Sequence, residues 1–313
     1  MSKYRSSLPQ LTNDMFITDG GIETYLIFHE GIDLPHFAAF DLFRTDSGRQ
    51  VLMDYYRRHA RIARDHGVGF IFETATWRAS PDWARQLNYS QAELAQANQA
   101  SVEMLLGLRD EFETPQTKCV ISGCVGPRGD GYDPERPVST RVAQTYHGEQ
   151  ISTLANAGAD LITAITMTNV DESIGIARAC QNEELPVVIS FTVETDGKLP
   201  TGDTLQSAIE AVDNATDAAP SYYMINCAHP THFDHVLDGD AWLDRINGVW
   251  ANASKCSHEE LDEAEALDEG NPHELGQDFV LLQQKMPKLN VLGGCCGTDH
   301  RHIEAICMAC KAA

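Results

Sequence analysis

Positive charge is scarce in this chain. Lysine and arginine number 23 against 46 aspartates and glutamates, a formal net charge of −23 over 313 residues. That imbalance repels a polyanion and argues against nucleic acid as a partner. Long apolar runs are missing too. None approaches the roughly 20 residues that a membrane-spanning helix needs, so no membrane partner is expected. Met1 to Asn13 is polar and carries no export signal, which predicts a cytoplasmic protein. No Pro/Ser-rich linker divides the chain, so one domain is expected over residues 1–313. The glycine-rich stretch Gly123 to Gly131 lacks the Lys-Ser/Thr of a phosphate-binding loop. No Ser-His-Asp grouping stands out.

What is present is alternation. Short apolar runs predict strands at Phe16–Thr18, Gly67–Phe72, Cys119–Ser122, Asp160–Thr166, Pro186–Val193, Tyr222–Asn226, Arg245–Ala251 and Leu289–Leu292. Helical spacing predicts helices over Ser47–His66, Ser90–Phe112, Ser139–Ala157, Val170–Gln181, Thr204–Ala218, Asp278–Met286 and Asp299–Cys310. Ser90 is the expected N-cap of the second, with Glu93 completing a capping box. In the last helix His302, Ile303, Ile306 and Met308 fall on inner positions. The near-continuous apolar run from Pro186 suits a strand buried on both faces. Eight strands separated by helices predict an α/β protein, a single (β/α)8 TIM barrel, with hydrophobic content of 42% filling its core.

Barrel enzymes place their chemistry at the carboxyl ends of the strands. Here those ends carry Asp19-Gly20-Gly21, Glu73-Thr74, Glu194, Asn226-Cys227 and Gly293-Gly294-Cys295-Cys296-Gly297. Adjacent cysteines on a regular strand would face opposite ways, but flanking glycines allow two thiols to converge. Strands one and eight become neighbours on closure, so three thiols share one rim. Three thiolates with an open fourth position suit catalytic zinc.

These motifs resemble the zinc-dependent homocysteine S-methyltransferase family over nearly the whole chain. Asn226-Cys227, Gly293 to Gly297 and Asp19-Gly20-Gly21-Ile22-Glu23-Thr24 carry most of the likeness. Gly126-Pro127, Ala157-Gly158-Ala159-Asp160 and Ser190-Phe191-Thr192 add to it. The resemblance implies Zn2+ held by Cys227, Cys295 and Cys296, and methyl transfer from a sulfonium, betaine or folate donor to a thiol such as homocysteine. The partners are then small molecules, a thiol acceptor and a methyl donor, in methionine biosynthesis. A small sulfonium such as S-methylmethionine is the expected donor, because only about one helix follows Cys296 where betaine-type members carry a long extension. With Ala313 as the last residue, no attached cobalamin domain is expected, so a corrinoid donor would have to come from a separate partner. A zinc- or thiol-sensing barrel without catalysis is the rival from another class. The sequence sets no oligomeric state.

One departure from the family pattern bears on the acceptor. Ile165 stands where relatives that use homocysteine carry a glutamate for its amino group. Either Glu73 or Glu194 takes that role, or the preferred thiol lacks an amino group and Arg78 or the Asp19-Gly20 backbone holds its carboxylate. From Ile165 alone the second alternative is expected. Asp19, Gly20, Gly21, Glu73, Thr74, Arg78, Ile165 and Asn226 are therefore the expected substrate contacts. Cys307 and Cys310 mimic a metal pair but are expected in core or surface, His229, His232 and His235 on surface loops, and the run Glu259–Glu269 on a solvated face.

Overall fold

A computed structural model describes residues 2–130, 138–238, 241–264 and 266–312, with the backbone alone at residue 262. Eight parallel strands follow one another around a closed barrel in chain order. They are β1 (Phe16–Ile17), β2 (Gly69–Glu73), β3 (Cys119–Val125), β4 (Leu161–Met167), β5 (Val187–Phe191), β6 (Pro220–Ala228), β7 (Ile246–Ala251) and β8 (Val291–Gly294). Closure is made where Phe16 and Ile17 pair with Val291 and Leu292. The helices include α1 (Ile22–Phe28), α2 (Asp46–His66), α3 (Pro81–Gln86), α4 (Gln91–Phe112), α5 (Thr140–Ala157) and α6 (Val170–Asn182). After these come α7 (Leu205–Thr216), α8 (Pro230–Phe233), α9 (His258–Asp262), α10 (Pro272–Lys285) and α11 (His300–Ala312). The chain is the (β/α)8 barrel that its alternation predicts.

Side-chain alternation along each strand divides the core in two. Phe16, Ile71, Val120, Leu161, Val188, Met224, Trp250 and Val291, one from each strand, fill the barrel interior. Their neighbours, such as Ile17, Phe70, Ile121 and Ile189, face the helices. Tyr4 and Leu8 close the interior from the N-terminal segment. That segment is fixed by the buried Asp160, whose carboxylate accepts from the backbone N–H groups of Lys3 and Tyr4 at 2.7 and 2.8 Å. The same carboxylate accepts from Ile121 N–H at 2.9 Å and pairs with the buried Arg109 at 2.8 Å.

Local signals mark most helix ends. The Ser90–Glu93 capping box is formed, and α2 stops at Gly67 in the left-handed conformation. Three expectations need correction. Helix α10 begins at Pro272 rather than Asp278, because Asn271 accepts from the His273 and Glu274 N–H groups and Pro272 is preset for a first turn. Strand β3 runs on to Val125, so Gly123, Cys124 and Val125 are strand and not loop; Gly131 lies outside the described residues. Met308 is exposed, and Cys307 and Cys310 take the inward face of α11. In the acidic run, Glu259, Glu260 and Glu263 are exposed as expected, and Glu265 lies outside the described residues.

Candidate metal centre and substrate cleft

Strands β6 and β8 bring three sulfurs together at the carboxyl rim. The Sγ atoms of Cys227, Cys295 and Cys296 lie within 4.8 Å of one another, with Cys227 to Cys296 at 3.6 Å. Among the described residues this is the one group of three or more His, Cys, Asp or Glu side chains able to hold a metal ion. Tetrahedral zinc with bonds of about 2.3 Å separates its sulfur ligands by about 3.8 Å, so the donor set and its spacing fit zinc.

The backbone is bent to achieve this. Cys227 has φ of 57°, in the left-handed region, at a register shift between β6 and β7. A non-glycine residue held there costs about 1–3 kcal/mol. Its carbonyl is gripped by Asn252 Nδ2 at 3.0 Å and by His258 Nε2 at 2.5 Å. The Cys295–Cys296 turn is fixed by Cys295 N–H to Ala251 O (2.8 Å), Ala253 N–H to Cys296 O (3.0 Å) and Gly297 N–H to Thr24 Oγ1 (3.1 Å). Glycines at positions 20 and 21 let the β1 loop lie against it. A Cβ at Gly21 would sit 2.4 Å from the Cys295 carbonyl oxygen, and one at Gly20 2.8 Å from that of Thr298.

The three thiols share charge unequally. Hydrogen bonds from Cys295 and Cys296 draw the Cys227 thiol well below its ordinary pKa. The proximity of Cys227 holds the other two up. Burial opposes charge on His258, but its bonds to Cys227 and the nearby Glu194 (Nδ1 to Oε1, 3.3 Å) outweigh burial and push it up to about 9.

A cleft of about 1060 Å³, including its mouth, opens on the sulfurs. Asp19, Gly20, Gly21, Glu73, Thr74, Arg78 and Ile165 line it together with all three cysteines. The Thr74 hydroxyl is engaged within the wall, accepting from Cys124 N–H at 2.8 Å and meeting Thr76 Oγ1 at 2.6 Å. Asn226 is misplaced by the sequence reading. It is fully buried, does not line the cleft, and spends its amide on Thr166 N–H (2.9 Å), Thr166 Oγ1 (3.0 Å) and the Ser190 hydroxyl (2.7 Å). That staple holds Thr166 at a φ of 61°, unusual for a β-branched residue, between Ile165 and the strand bulge. Glu194 lies off the cleft beside His258. His229 and His232 are buried rather than on the surface. His229 caps α8 and faces Asp278 at 3.6 Å, and His232 bonds Lys255 O at 2.9 Å. Neither they nor the exposed His235 joins the sulfur cluster.

Other lining groups escaped the sequence reading. Glu23, in the first turn of α1, faces the cleft, as do Tyr56, Trp77 and Trp250. Burial raises Asp19 to about 8, Glu73 to about 8 and Glu23 to about 7. Arg78 offsets part of the cost for Glu23; the Ser122 and Thr163 hydroxyls do so for Glu73. The cleft is thus a wall of buried and half-buried carboxyls and aromatic faces that a cationic ligand would stabilise. A second cleft, roofed by α9 and the loop after it, reaches Cys227 and Cys296 from the β7 side.

A family model of homocysteine S-methyltransferases matches residues 16–310. The chain belongs to the homocysteine S-methyltransferase family. It is 24% identical over 315 residues to Homocysteine S-methyltransferase 1 of Arabidopsis thaliana, covering 93% of this chain and 91% of that protein. Homocysteine S-methyltransferase of Escherichia coli K12 is 24% identical over 273 residues, 82% of each chain. The crystal structure of the homocysteine methyltransferase MmuM from Escherichia coli in its metallated form superposes with a TM-score of 0.73 at 20% identity, over 97% of this chain and 99% of that one. Family membership makes this protein a thiol S-methyltransferase with small-molecule substrates. Among its described residues, no helix is long and apolar enough to cross a membrane.

Proposed function

We propose that the protein moves a methyl group from a small sulfonium donor of the S-methylmethionine kind to homocysteine or a related thiol bound at a zinc ion on Cys227, Cys295 and Cys296. The observation that carries this reading is the convergence of three thiols from two strand ends at the floor of a cleft. When bound, zinc would hold the acceptor sulfur deprotonated at neutral pH, where a free thiol with pKa of about 8.5 is only a few per cent thiolate. The rest of the work falls to the chain. In-line attack on a methyl carbon needs no proton at that carbon, and the leaving thioether departs neutral. Acceleration then rests on alignment of two substrates. The carboxyls of Asp19 and Glu23 and the faces of Trp77 and Trp250 favour a cation in the cleft. Arg78 is assigned to the acceptor's carboxylate. Two clefts meeting at Cys227 and Cys296 support a two-substrate reaction over a sensor with a filled coordination sphere. Such chemistry needs reduced thiols, as the cytoplasm maintains them, and its product with homocysteine is methionine.

A quaternary ammonium donor such as betaine would suit the same aromatic and acidic wall, but a sulfonium releases the better leaving group. Incubation of the zinc-loaded protein and homocysteine with each donor, following methionine by mass spectrometry, is expected to show turnover with S-methylmethionine. Turnover with betaine alone would overturn the donor assignment. Zinc binding without turnover on any sulfonium, betaine, folate or corrinoid donor would favour the sensor.

A further inference from the structure

Glu73 ends β2 with its side chain buried at the cleft wall. One carboxylate oxygen is anchored: Oε1 accepts from the Thr163 hydroxyl at 3.0 Å, and that hydroxyl lies 2.7 Å from Ser122 Oγ. The backbone carbonyl of Glu73 accepts from the Tyr56 hydroxyl at 2.6 Å. The other oxygen, Oε2, is buried and has no hydrogen-bond partner among the described residues. Buried carboxylate oxygens without donors are rare in folded proteins, and each calls for an explanation. Here the side chain is held rigid on one edge, and its other oxygen is left unpaired in the wall of a ligand cleft.

The chemistry of the missing partner follows from the surroundings. Asp19 and Glu23 line the same cleft, so the partner bears positive charge. It also carries an N–H group, because a carboxylate oxygen is best satisfied by a charged N–H donor. Sulfonium methyl groups form only weak C–H contacts and leave the oxygen unsatisfied. The α-ammonium of an amino-acid substrate meets both demands. The acceptor's is the one assigned, because its sulfur is placed at the cysteines that line the same cleft as Glu73. Ile165 of β4 lines the same cleft and offers no carboxylate to compete for that ammonium.

We propose that Glu73 receives the ammonium group of the acceptor and thereby sets a preference for an amino-acid thiol over its deaminated counterpart. The proposal rests on the reading above, in which the acceptor's sulfur sits at the three cysteines. It reverses the expectation drawn from Ile165 alone, and it selects Glu73 over Glu194, which lies outside this cleft. Glu73 acts as a binding and specificity residue, with no part in bond making.

The test compares L-homocysteine with 4-mercaptobutanoate, which keeps the thiol and carboxylate and lacks the amino group. Both are assayed with one sulfonium donor on wild type and Glu73→Gln. Glutamine preserves the acceptor for Thr163 and the side-chain volume; zinc content and circular dichroism check that the variant is loaded and folded. Wild type is expected to prefer homocysteine at least about tenfold in kcat/KM. In Glu73→Gln the homocysteine value should fall about ten- to hundredfold, mostly through KM, while that for 4-mercaptobutanoate stays within about threefold. A parallel fall for both thiols, or an unchanged ratio, would overturn the proposal. The wild-type ratio is a test that needs no variant, since absence of any preference also overturns it. Calorimetric Kd values for the two thiols keep the assignments separable. If wild type turns over neither thiol, the proposed reaction fails, yet selective weakening of homocysteine binding by Glu73→Gln still decides the role of Glu73.

Discussion

Cys295→Ala is expected to lower methyl transfer by about three orders of magnitude or more and to abolish stoichiometric metal binding. The residue contributes one of three sulfurs that lie within 4.8 Å of one another. Two thiols cannot complete a three-sulfur site, and the acceptor would revert to a free thiol, largely protonated at neutral pH. The Cys295 turn is held by backbone bonds to Ala251 and Thr298 rather than by its own side chain, so the variant should fold. Cys227→Ala and Cys296→Ala should behave alike, because the three act as one unit. Cys310→Ala is the matched control. Its thiol lies on the buried face of α11, away from the cluster, and activity should survive. Activity of Cys295→Ala within tenfold of wild type would sink the metal-site assignment.

The second large effect concerns stability. Asp160→Ala is expected to cost about 3–5 kcal/mol, read as a lower urea midpoint at unchanged m value. The fully buried carboxylate receives the N–H groups of Lys3, Tyr4 and Ile121 and pairs with Arg109, whose side chain is itself only 5% exposed. Alanine leaves a buried guanidinium and three donors without an acceptor. Asp160→Asn keeps an acceptor oxygen and should lose less. The residue precedes β4, at the opposite end of the barrel from the cysteines, so both variants should retain methyl transfer below their unfolding transition. A loss under about 1 kcal/mol for the alanine variant would mean that water or a shifted Arg109 replaces the network.

The barrel was legible because each strand is a short apolar run closed by glycine or polar residues, and neighbouring helices carry their own stop signals, such as Gly67 after α2. The cysteine cluster was legible for a related reason. Adjacent cysteines between glycines have few structural uses, and the ends of β8 and β6 had to meet the same rim. Less legible were features that depend on tertiary placement. Asn226 looks like a site residue beside Cys227, yet its amide points into the wall, because the bulge that turns Cys227 toward the cleft turns Asn226 toward Thr166. Glu23 stands two residues past Gly21, and only the seating of α1 against the β8 turn aims it inward. His258 begins a five-residue helix in a polar insertion, and no periodicity reveals that it grips the Cys227 carbonyl. Met308 and Cys307 are adjacent on α11, where a small error in helical phase exchanges inside for outside.

Zinc-edge X-ray absorption on the purified protein counts the sulfurs around the metal and so decides whether the three cysteines hold it. With about one zinc per chain, the spectrum is expected to show three sulfur neighbours at about 2.3 Å and one lighter fourth ligand, changing to four sulfurs when homocysteine is added. A first shell of nitrogen and oxygen, or a shell that homocysteine leaves unchanged, would contradict that assignment.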